Sequence, residues 1–358
     1  MTGAETRRAR LIAFHLPQFH PIAENDAWWG PGFTEWRNVA TARPLFDGHY
    51  QPHVPGELGY YDLRLPEVRE AQGELAATHG IEAFCFWHYW FRGKRLLERP
   101  VDEILASGRP ELPFCIAWVN ESWTRTWMGD GREVLQLQTY GAEDDLRHAR
   151  WLAEAFADPR YLRVGGRPLF LVYRPADLPS PARTTEVLRR ECRRLGVTEP
   201  LLLGINAHLD LDFRRLGFDG SVCFEPLLNA SVGLRPLDVA GNEEGVAVYD
   251  YGEVRGRMTE VTRDWPVHPT VVVGWDNTPR RGARGVVFAN SDPERFRAGL
   301  EVTLDVVADR PFEERLVFIN AWNEWAEGNH LEPDRRHGRA YLEAVRAANR
   351  LAAMGVSP

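Results

Sequence analysis

Cysteines and long apolar runs are scarce in this 358-residue sequence, and each scarcity excludes a class of protein. The 4 cysteines have a spacing that fits neither a zinc site nor a disulfide framework. No run of about 18 apolar residues is present that could span a bilayer. The first residues carry charges but no apolar segment before a cleavage site, so no signal peptide is predicted. We therefore expect a cytoplasmic protein that does not insert into membranes.

An excess of positive charge is also missing. The chain has 43 basic and 51 acidic residues, a net charge of -8, and its basic residues are scattered through helix-like segments. Nucleic acids are bound by clustered basic residues, so nucleic acid is not an expected partner. No glycine-rich phosphate loop follows the first apolar segment, which disfavours a doubly wound nucleotide-binding sheet.

Tryptophan, in contrast, is abundant, with 13 residues in the chain. Indole offers a flat apolar face and an N-H donor, so it often lines binding clefts, although any single tryptophan is more often part of the core. Many aromatic residues stand in a long insertion at 17–64, and a second long insertion spans 227–268. Loops longer than about 15 residues are usually functional or disordered, and the aromatic content favours order. We expect the first insertion to close over a substrate, since its aromatics have no predicted helix or strand to pack in. We expect the second insertion to be irregular apart from a possible helix near Glu253.

Short apolar segments alternate with helical segments along the chain. The predicted strands are residues 11–16, 83–87, 114–119, 169–173, 201–206, 221–224, 270–274 and 316–321. Alternating strands and helices predict a parallel sheet, and eight repeats predict a (β/α)8 TIM barrel with long βα loops. We expect residues 1–358 to form this barrel as a single domain.

Polar or aromatic side chains stand at the C-terminal end of each predicted strand. Barrel active sites are built on that face of the fold. A single histidine is more often a packing residue than a catalyst, but packing would have to explain the same bias at every strand end independently. The residues predicted to line a substrate site are His15, Trp87, His88, Tyr89, Trp118, Asn120, Glu121, Tyr173, Glu225, Trp275, Asp276, Trp322 and Asn323.

Two glutamates stand three residues apart after the last predicted strand. Glu324 lies where the strand ends, and Glu327 lies in the turn before Gly328. A turning backbone brings positions i and i+3 to one side. Glycoside cleavage needs one carboxyl group to protonate the departing oxygen and a second to act on the sugar. We predict that this pair is catalytic; the alternative is an acidic cap on the last helix.

Six motifs spread over almost the whole chain resemble one known family. They read FHLPQFH (14–20), WGPGFTEW (29–36), FWHYW (86–90), WVNE (118–121), GWDNTPR (274–280) and NEWAEG (323–328). Jointly they resemble the glycoside hydrolase family 99-like proteins, in particular the WbsX-type branch associated with bacterial polysaccharide loci. The resemblance implies a (β/α)8 barrel, a carbohydrate substrate, and no metal or organic cofactor.

The resemblance also implies roles for the two glutamates. Family 99 enzymes act endo on α-mannosides with retention. By position, Glu324 would be the base that deprotonates the 2-hydroxyl of the sugar, and Glu327 the acid/base at the leaving oxygen. The intermediate would be a 1,2-anhydro sugar. Because the attacking oxygen already lies beside the anomeric carbon, this scheme needs only a proton removed.

Three functions remain open from the sequence. The first is a retaining glycoside hydrolase acting on a poly- or oligosaccharide. The second is glycosyl transfer in surface-polysaccharide assembly, because WbsX-type proteins have also been described as glycosyltransferases. No nucleotide-sugar signature supports that function, since the one DxD sequence, residues 210–212, stands in a helix-like segment. The third is a carbohydrate-binding barrel without activity. Sugar identity and oligomeric state are left open.

Overall fold

The computed structural model describes residues 7–125, 130–207, 211–226, 233–259 and 263–351. Its central feature in these ranges is a parallel sheet that follows the chain in order. The barrel strands are β1 (Arg10–His15), β2 (Ala83–Phe91), β3 (Phe114–Trp118), β4 (Arg167–Val172), β5 (Leu201–Asn206), β6 (Gly220–Cys223), β7 (Val267–His268 and Thr270–Val272) and β8 (Leu316–Asn320). Nearly all residues of these strands are buried, as expected for strands covered on both faces.

The sheet closes on itself through β7. Neighbouring strands pair in the order β6, β5, β4, β3, β2, β1, β8. Val267–His268 pairs with β6 on one side, and Thr270–Val272 pairs with β8 on the other. Pro269 separates these two parts of β7, because proline has no N-H for the ladder. The predicted (β/α)8 TIM barrel is confirmed.

Helices and short strands surround the barrel. The helices are α1 (Ala23–Trp29), α2 (Trp36–Thr41), α3 (Pro66–Thr78), α4 (Arg99–Ser107), α5 (Ala142–Phe156), α6 (Pro181–Arg194), α7 (Tyr251–Thr259), α8 (Thr278–Arg281), α9 (Pro293–Val306) and α10 (Ala340–Ala348). The short strands are Lys94–Leu96, Trp123–Arg125, Asp130–Gln136, Arg163–Val164, Ala247–Asp250, Val286–Ala289, Asn323–Glu324 and Asn329–His330. The 3-10 helices are Pro175–Asp177, Phe213–Leu216, Gly282–Arg284, Phe312–Glu314 and Trp325–Glu327.

Aromatic side chains fill the interior of the barrel. The Phe14 ring on β1 stacks on Trp87 of β2 at 4.7 Å and on Phe318 of β8 at 5.4 Å, measured between ring centroids. It also meets Phe224, just after β6, edge to face at 5.1 Å. One ring therefore joins strands from opposite parts of the barrel, which makes the sheet closure and the core parts of the same packing unit.

Two sequence expectations about the insertions need correction. The aromatics of residues 17–64 were expected to have no helix or strand to pack in, but Trp28 and Trp29 belong to α1 and Trp36 begins α2. The segment 227–268 was expected to be irregular apart from a possible helix near Glu253; helix α7 matches that helix, whereas the strand Ala247–Asp250 was not predicted. Residues 227–232 and 260–262 of that segment, and Asp210 of the DxD sequence, lie outside the described residues.

Among the helices in the described ranges, none is both long enough and apolar enough to cross a bilayer.

Candidate active site

A cleft of about 570 Å³ opens at the C-terminal end of the barrel strands. Its walls come from residues at or just after the ends of β1 to β4 and β6 to β8. This is the face on which barrel enzymes build their active sites. The predicted site residues that line it are Trp87, Tyr89, Glu121, Tyr173, Trp275, Glu324 and Glu327.

One arginine organises the floor of this cleft. Nε of Arg280 donates to Oε1 of Glu35 at 2.8 Å, and one terminal nitrogen donates to Oε2 of Glu324 at 2.9 Å. The other terminal nitrogen donates to Oε1 of Glu327. The Arg280 side chain is 8 % exposed and that of Glu35 is 0 % exposed. Three carboxylates thus surround one guanidinium in a largely water-free environment, and each guanidinium nitrogen has its own acceptor.

The two catalytic candidates lie on a small antiparallel hairpin after β8. Asn323–Glu324 pairs with Asn329–His330, and the 3-10 helix Trp325–Glu327 forms its tip. Gly328 closes the tip with φ of 56°, a conformation that favours glycine. The predicted turning backbone is therefore observed, and it directs Glu324 and Glu327 to the same guanidinium.

Burial and like charge perturb both carboxyl groups. Burial and the neighbouring Glu327 raise the pKa of Glu324 to about 8, against the smaller opposing effect of Arg280. Burial also raises the pKa of Glu327, and again Arg280 acts in the opposite direction. One guanidinium cannot neutralise three carboxylates, so the cluster favours keeping a proton on one of them. The pair can therefore hold and move a proton near neutral pH.

Asp276 holds the segment that carries Arg280. Its Oδ2 accepts from Nε2 of His49 at 2.7 Å and from Nε2 of Gln51 at 2.6 Å. Its Oδ1 accepts from the backbone N-H and the hydroxyl of Thr278, which begins α8. The backbone N-H of Asp276 also donates to the carbonyl of Glu327 at 2.6 Å. Asp276 thereby joins the first insertion, α8 and the turn that carries Glu324 and Glu327.

A buried carboxylate also supports the turn from behind. Glu332 accepts from Nε1 of Trp325 at 2.6 Å, from the hydroxyl of Tyr61 at 2.9 Å, and from Nε2 of Gln72 at 2.6 Å. Burial raises the pKa of Glu332 to about 7 despite these donors. Trp325 is thus fixed by its indole N-H, and its neighbours on the hairpin tip are fixed with it.

Aromatic side chains from the first insertion and from the loop after β3 form the outer walls of the cleft. Trp29 at the end of α1 and Trp123 in the short strand Trp123–Arg125 both line it. The guanidinium of Arg125 lies 5.3 Å from the centroid of the Trp29 ring and donates to the carbonyl of Trp28 at 3.0 Å. This cation-π contact and hydrogen bond tie the first insertion to the loop after β3.

Four predicted site residues lie behind the cleft and do not line it. His15 donates to Oε1 of Gln72 at 3.3 Å, and burial lowers its pKa to about 3. His88 stacks on Trp151 at 4.7 Å. Trp118 donates to the carbonyl of Trp90 at 3.3 Å. Trp322 is fully buried in the core. The side chains of His15, His88 and Trp118 turn away from the cleft because successive strand residues alternate between the two faces of a sheet.

The other predicted residues outside the lining are Asn120, Glu225, Asp276 and Asn323, and the side chains of all but Glu225 are shown to bond to backbone groups. The Asn323 side chain bonds to both the N-H and the carbonyl of Leu16, at 2.7 and 3.0 Å. Asn120 bonds in the same way to both backbone groups of Arg174, at 2.7 and 2.8 Å. Glu225 is buried at a separate cavity beside β7, and Asp276 holds α8 as described above. None of these four residues lines the cleft, and a role for them in binding sugar stays a prediction.

Other residues of the site were missed from the sequence. Glu35 and Arg280 stand inside motifs that carry the family resemblance, and this was the signal that could have identified them. Arg174 lines the cleft and pairs with Glu121 through Nε at 2.6 Å. Gln18 also lines the cleft. Glu35, Arg280, Arg174 and Gln18 were not among the predicted site residues.

Solved structures resemble the barrel over nearly its full length. The GH99 endo-alpha-mannosidase from Bacteroides thetaiotaomicron superposes with a TM-score of 0.59 and 14% identity, covering 95% of both chains. A solved glycoside hydrolase-like protein also gives a TM-score of 0.59 and 14% identity, over 96% of this chain and 94% of that one. At this identity the likeness shows a shared fold, which is that of glycoside hydrolases.

Sequence relatives define the family. Proteins described as "Uncharacterized protein WxcX" from two strains of Xanthomonas campestris pv. campestris are 47% identical over 348 residues. The match covers 96% of this chain and 50% of each relative, so the chain spans half the length of these relatives. The family model described as "Glycosyltransferase WbsX" matches residues 11–345. With its glycoside-hydrolase-like barrel, the chain belongs to this WbsX family.

Proposed function

We propose that this chain is a retaining glycoside hydrolase that acts on a poly- or oligosaccharide, as an endo-α-mannosidase does. The observation that carries the proposal is the pair Glu324 and Glu327, held on one buried guanidinium at the floor of an aromatic cleft. Glycoside cleavage needs two carboxyl groups with perturbed proton affinities at the scissile bond.

The walls of the cleft suit a sugar. Trp29, Trp123 and Trp275 offer apolar faces, while Glu121 and Arg174 offer charged acceptors and donors beside them. Sugar rings present C-H faces and hydroxyl groups, so they need both kinds of contact. A mainly apolar ligand would cover the Glu121–Arg174 ion pair without offering it further hydrogen bonds.

The proposed reaction uses the substrate's own 2-hydroxyl as nucleophile. Glu324 takes the proton of that hydroxyl as O2 attacks the anomeric carbon, while Glu327 gives its proton to the departing glycosidic oxygen. In the second step water attacks the anomeric carbon and gives a proton to Glu327, and O2 takes its proton back from Glu324. Burial raises the pKa of both carboxyl groups, so the pair holds a proton near neutral pH, and the reaction proceeds from the state in which Glu327 carries that proton and Glu324 is ionised.

Glycosyl transfer is a second candidate, favoured by the description of the family model as a glycosyltransferase. In this site it would proceed through the same first step, and an acceptor hydroxyl would replace water in the second. The cleft extends beyond the two glutamates along Trp29, Trp123 and Arg174, which leaves room for an acceptor sugar.

The test is a product analysis with a panel of α- and β-linked oligosaccharides, led by α-mannosides, followed by mass spectrometry and NMR. The variants are Glu324→Gln and Glu327→Gln. Glu57→Gln is the matched control, since Glu57 lies on the surface and pairs with Arg339.

Hydrolysis that is lost in both catalytic variants and kept in Glu57→Gln supports the proposal. Longer products indicate transfer. Binding without turnover in the unmodified protein indicates a carbohydrate-binding barrel, and turnover unaffected by either catalytic variant would overturn the mechanism.

A further inference from the structure

A second polar cluster lies beneath the catalytic turn, outside the cleft. It consists of His53 in the first insertion, His330 on the hairpin and Asp334 after it, and the ligand atoms of these three residues lie within 4.8 Å of one another. His330 and Asp334 are buried and His53 is half-buried, so the cluster can be reached from solvent. In the described ranges it is the one such group of three histidine, cysteine or acidic residues.

We propose that His53, His330 and Asp334 bind a divalent first-row transition metal ion, with Zn²⁺ as the best match. Two imidazole nitrogens and one carboxylate oxygen form a donor set that suits Zn²⁺ and is less suited to Mg²⁺ or Ca²⁺, which prefer oxygen ligands. Three protein ligands leave a fourth position for water or another donor.

The hydrogen bonds of His330 prepare it to be a ligand. Its Nδ1 lies 3.0 Å from the carbonyl of Glu332, and a carbonyl can only accept, so Nδ1 carries the proton. Nε2 is then a bare lone pair, and it points at Nδ1 of His53 at 2.8 Å. Metal-binding histidines commonly donate their second ring N-H to a carbonyl or carboxylate in this way.

Asp334 is also held in place by neighbours. Its Oδ2 accepts from the hydroxyl of Tyr50 at 3.0 Å, and its Oδ1 accepts from the backbone N-H of His337 at 2.5 Å. Each of these oxygens keeps a further lone pair for a cation. The single negative charge of Asp334 would partly neutralise the charge of a divalent ion bound by the two imidazoles.

A plain hydrogen bond from His53 to His330 is the alternative explanation of the short contact. Two nitrogens at about 2.0–2.1 Å from a tetrahedral zinc ion lie about 3.4 Å apart. Binding therefore requires the rings to separate by about half an ångström from the observed 2.8 Å. His53 lies in a loop and is half-buried, so a small ring rotation can supply this opening.

The position of the cluster gives the ion a structural task. His330 pairs directly with Asn323 across the hairpin, and its ring stacks on Trp325 at a centroid distance of 3.7 Å. His53 belongs to the insertion that also supplies Gln51 to Asp276. A bound ion would therefore cross-link that insertion to the hairpin bearing Glu324 and Glu327, without touching the substrate.

The test measures metal binding by the full chain without an affinity tag. After equilibrium dialysis against Zn²⁺, elemental analysis should find one ion per chain, and Co²⁺ should give the visible absorption of a low-symmetry site. His53→Gln and Asp334→Asn should weaken Zn²⁺ binding at least about tenfold. His20→Gln is the matched control, because His20 is a buried histidine outside the cluster.

Circular dichroism of each variant establishes that it has folded, and thermal unfolding supplies a second measurement. The unfolding midpoint should rise with added Zn²⁺ in the unmodified protein and in His20→Gln, but not in the two cluster variants. Absence of a stoichiometric ion in the unmodified protein overturns the proposal even if a variant fails to fold. Binding that persists undiminished in folded His53→Gln or Asp334→Asn also overturns it. Neither result bears on the roles of Glu324 and Glu327, since no measurement here depends on turnover.

Discussion

Arg280 sets the charge balance of the site. Its guanidinium contacts Glu35, Glu324 and Glu327, so full ionisation would leave a net charge of about -2 in a buried cluster. The simplest relief is to keep one carboxyl group protonated, which is also what acid/base chemistry requires. The charge balance of the cluster and the proposed mechanism therefore depend on the same three contacts.

The raised pKa of Glu324 has a consequence for stability. In the folded protein this pKa is about 8, against 4.5 for an unperturbed glutamate. Between these values the folded state holds a proton that the unfolded chain has released, so the free energy of unfolding falls as pH rises. Glu324→Gln cannot ionise and escapes this loss. We expect its stability to exceed that of the unmodified protein by an amount that grows by on the order of 1 kcal/mol per pH unit from about pH 5 to 8.

Urea unfolding at several pH values measures this difference. Glu57→Gln serves as the control, because the pKa of Glu57 is lowered by its hydrogen bond with Arg339 and the variant should not gain stability with rising pH. If the free energies of unfolding of Glu324→Gln and the unmodified protein differ by a constant amount from about pH 5 to 8, the raised pKa of Glu324 is contradicted.

Arg280→Lys keeps a positive charge but loses the planar fork that reaches three carboxylates. We expect turnover to fall by about 100-fold, because the two catalytic carboxyl groups are no longer held in one geometry. Arg280 lowers the pKa of both Glu324 and Glu327, so weakening it should move the pH-rate profile to higher pH. Steady-state kinetics from pH 5 to 9 measures both effects. Arg339→Lys, at an exposed ion pair, is the control. A pH-rate profile that does not shift in Arg280→Lys would contradict the lowering of the two glutamate pKa values by Arg280.

At the scale of elements, the hairpin from Asn323 to His330 depends on close packing at its tip. A Cβ at Gly328 would lie 2.9 Å from Cβ of Asp276, the residue that holds α8. Gly338 has a similar φ of 53° but nothing within 4 Å of its Cβ position. Alanine variants at these two positions therefore distinguish the effect of backbone strain from the effect of steric overlap.

Gly328→Ala should be less stable than Gly338→Ala. Both variants carry the strain of a left-handed conformation, roughly 1–2 kcal/mol, and Gly328→Ala adds about 1–3 kcal/mol of overpacking. Equilibrium urea unfolding of the two variants measures the difference. Gly328→Ala should also lose activity, since the displaced tip carries Glu327. Equal destabilisation of the two variants would show that the contact with Asp276 can relax.

At the scale of the whole molecule, the barrel interior and the sheet closure are one packing unit. Phe14 is fully buried and touches rings from β2 and β8. Phe14→Ala should lower the free energy of unfolding by about 3–5 kcal/mol, because a cavity forms where the strands meet. Val302→Ala on the outer face of α9, where Val302 is 45% exposed, should change it by less than about 0.5 kcal/mol.

Urea unfolding followed by both circular dichroism and tryptophan fluorescence measures these changes. For Phe14→Ala and for the unmodified protein alike, we expect the circular dichroism curve and the fluorescence curve to coincide. Separate transitions would show that the insertions unfold independently of the barrel. The single-domain expectation for residues 1–358 and the cytoplasmic location stay predictions.

Much of the fold was determined by local pattern. Strands buried on both faces appear as short apolar runs, and their alternation with helices restricts the topology to a closed parallel barrel. The turn at Glu324 to Glu327 was also readable, because Gly328 marks a change of backbone direction. β2 was predicted too short, to residue 87, because its last residues are aromatic and polar and extend to Phe91.

The sequence alone therefore determined the barrel and the turn that carries Glu324 and Glu327, since each depends on neighbours within a few residues. Only the tertiary structure decided which side chains meet in the cleft. Glu35 and Arg280 are 245 positions apart yet share a hydrogen bond, whereas His15 and Trp322 turn into the core. The physical reason is that a carboxylate's partner and a strand-end side chain's direction are set by how distant loops pack, which no local periodicity encodes.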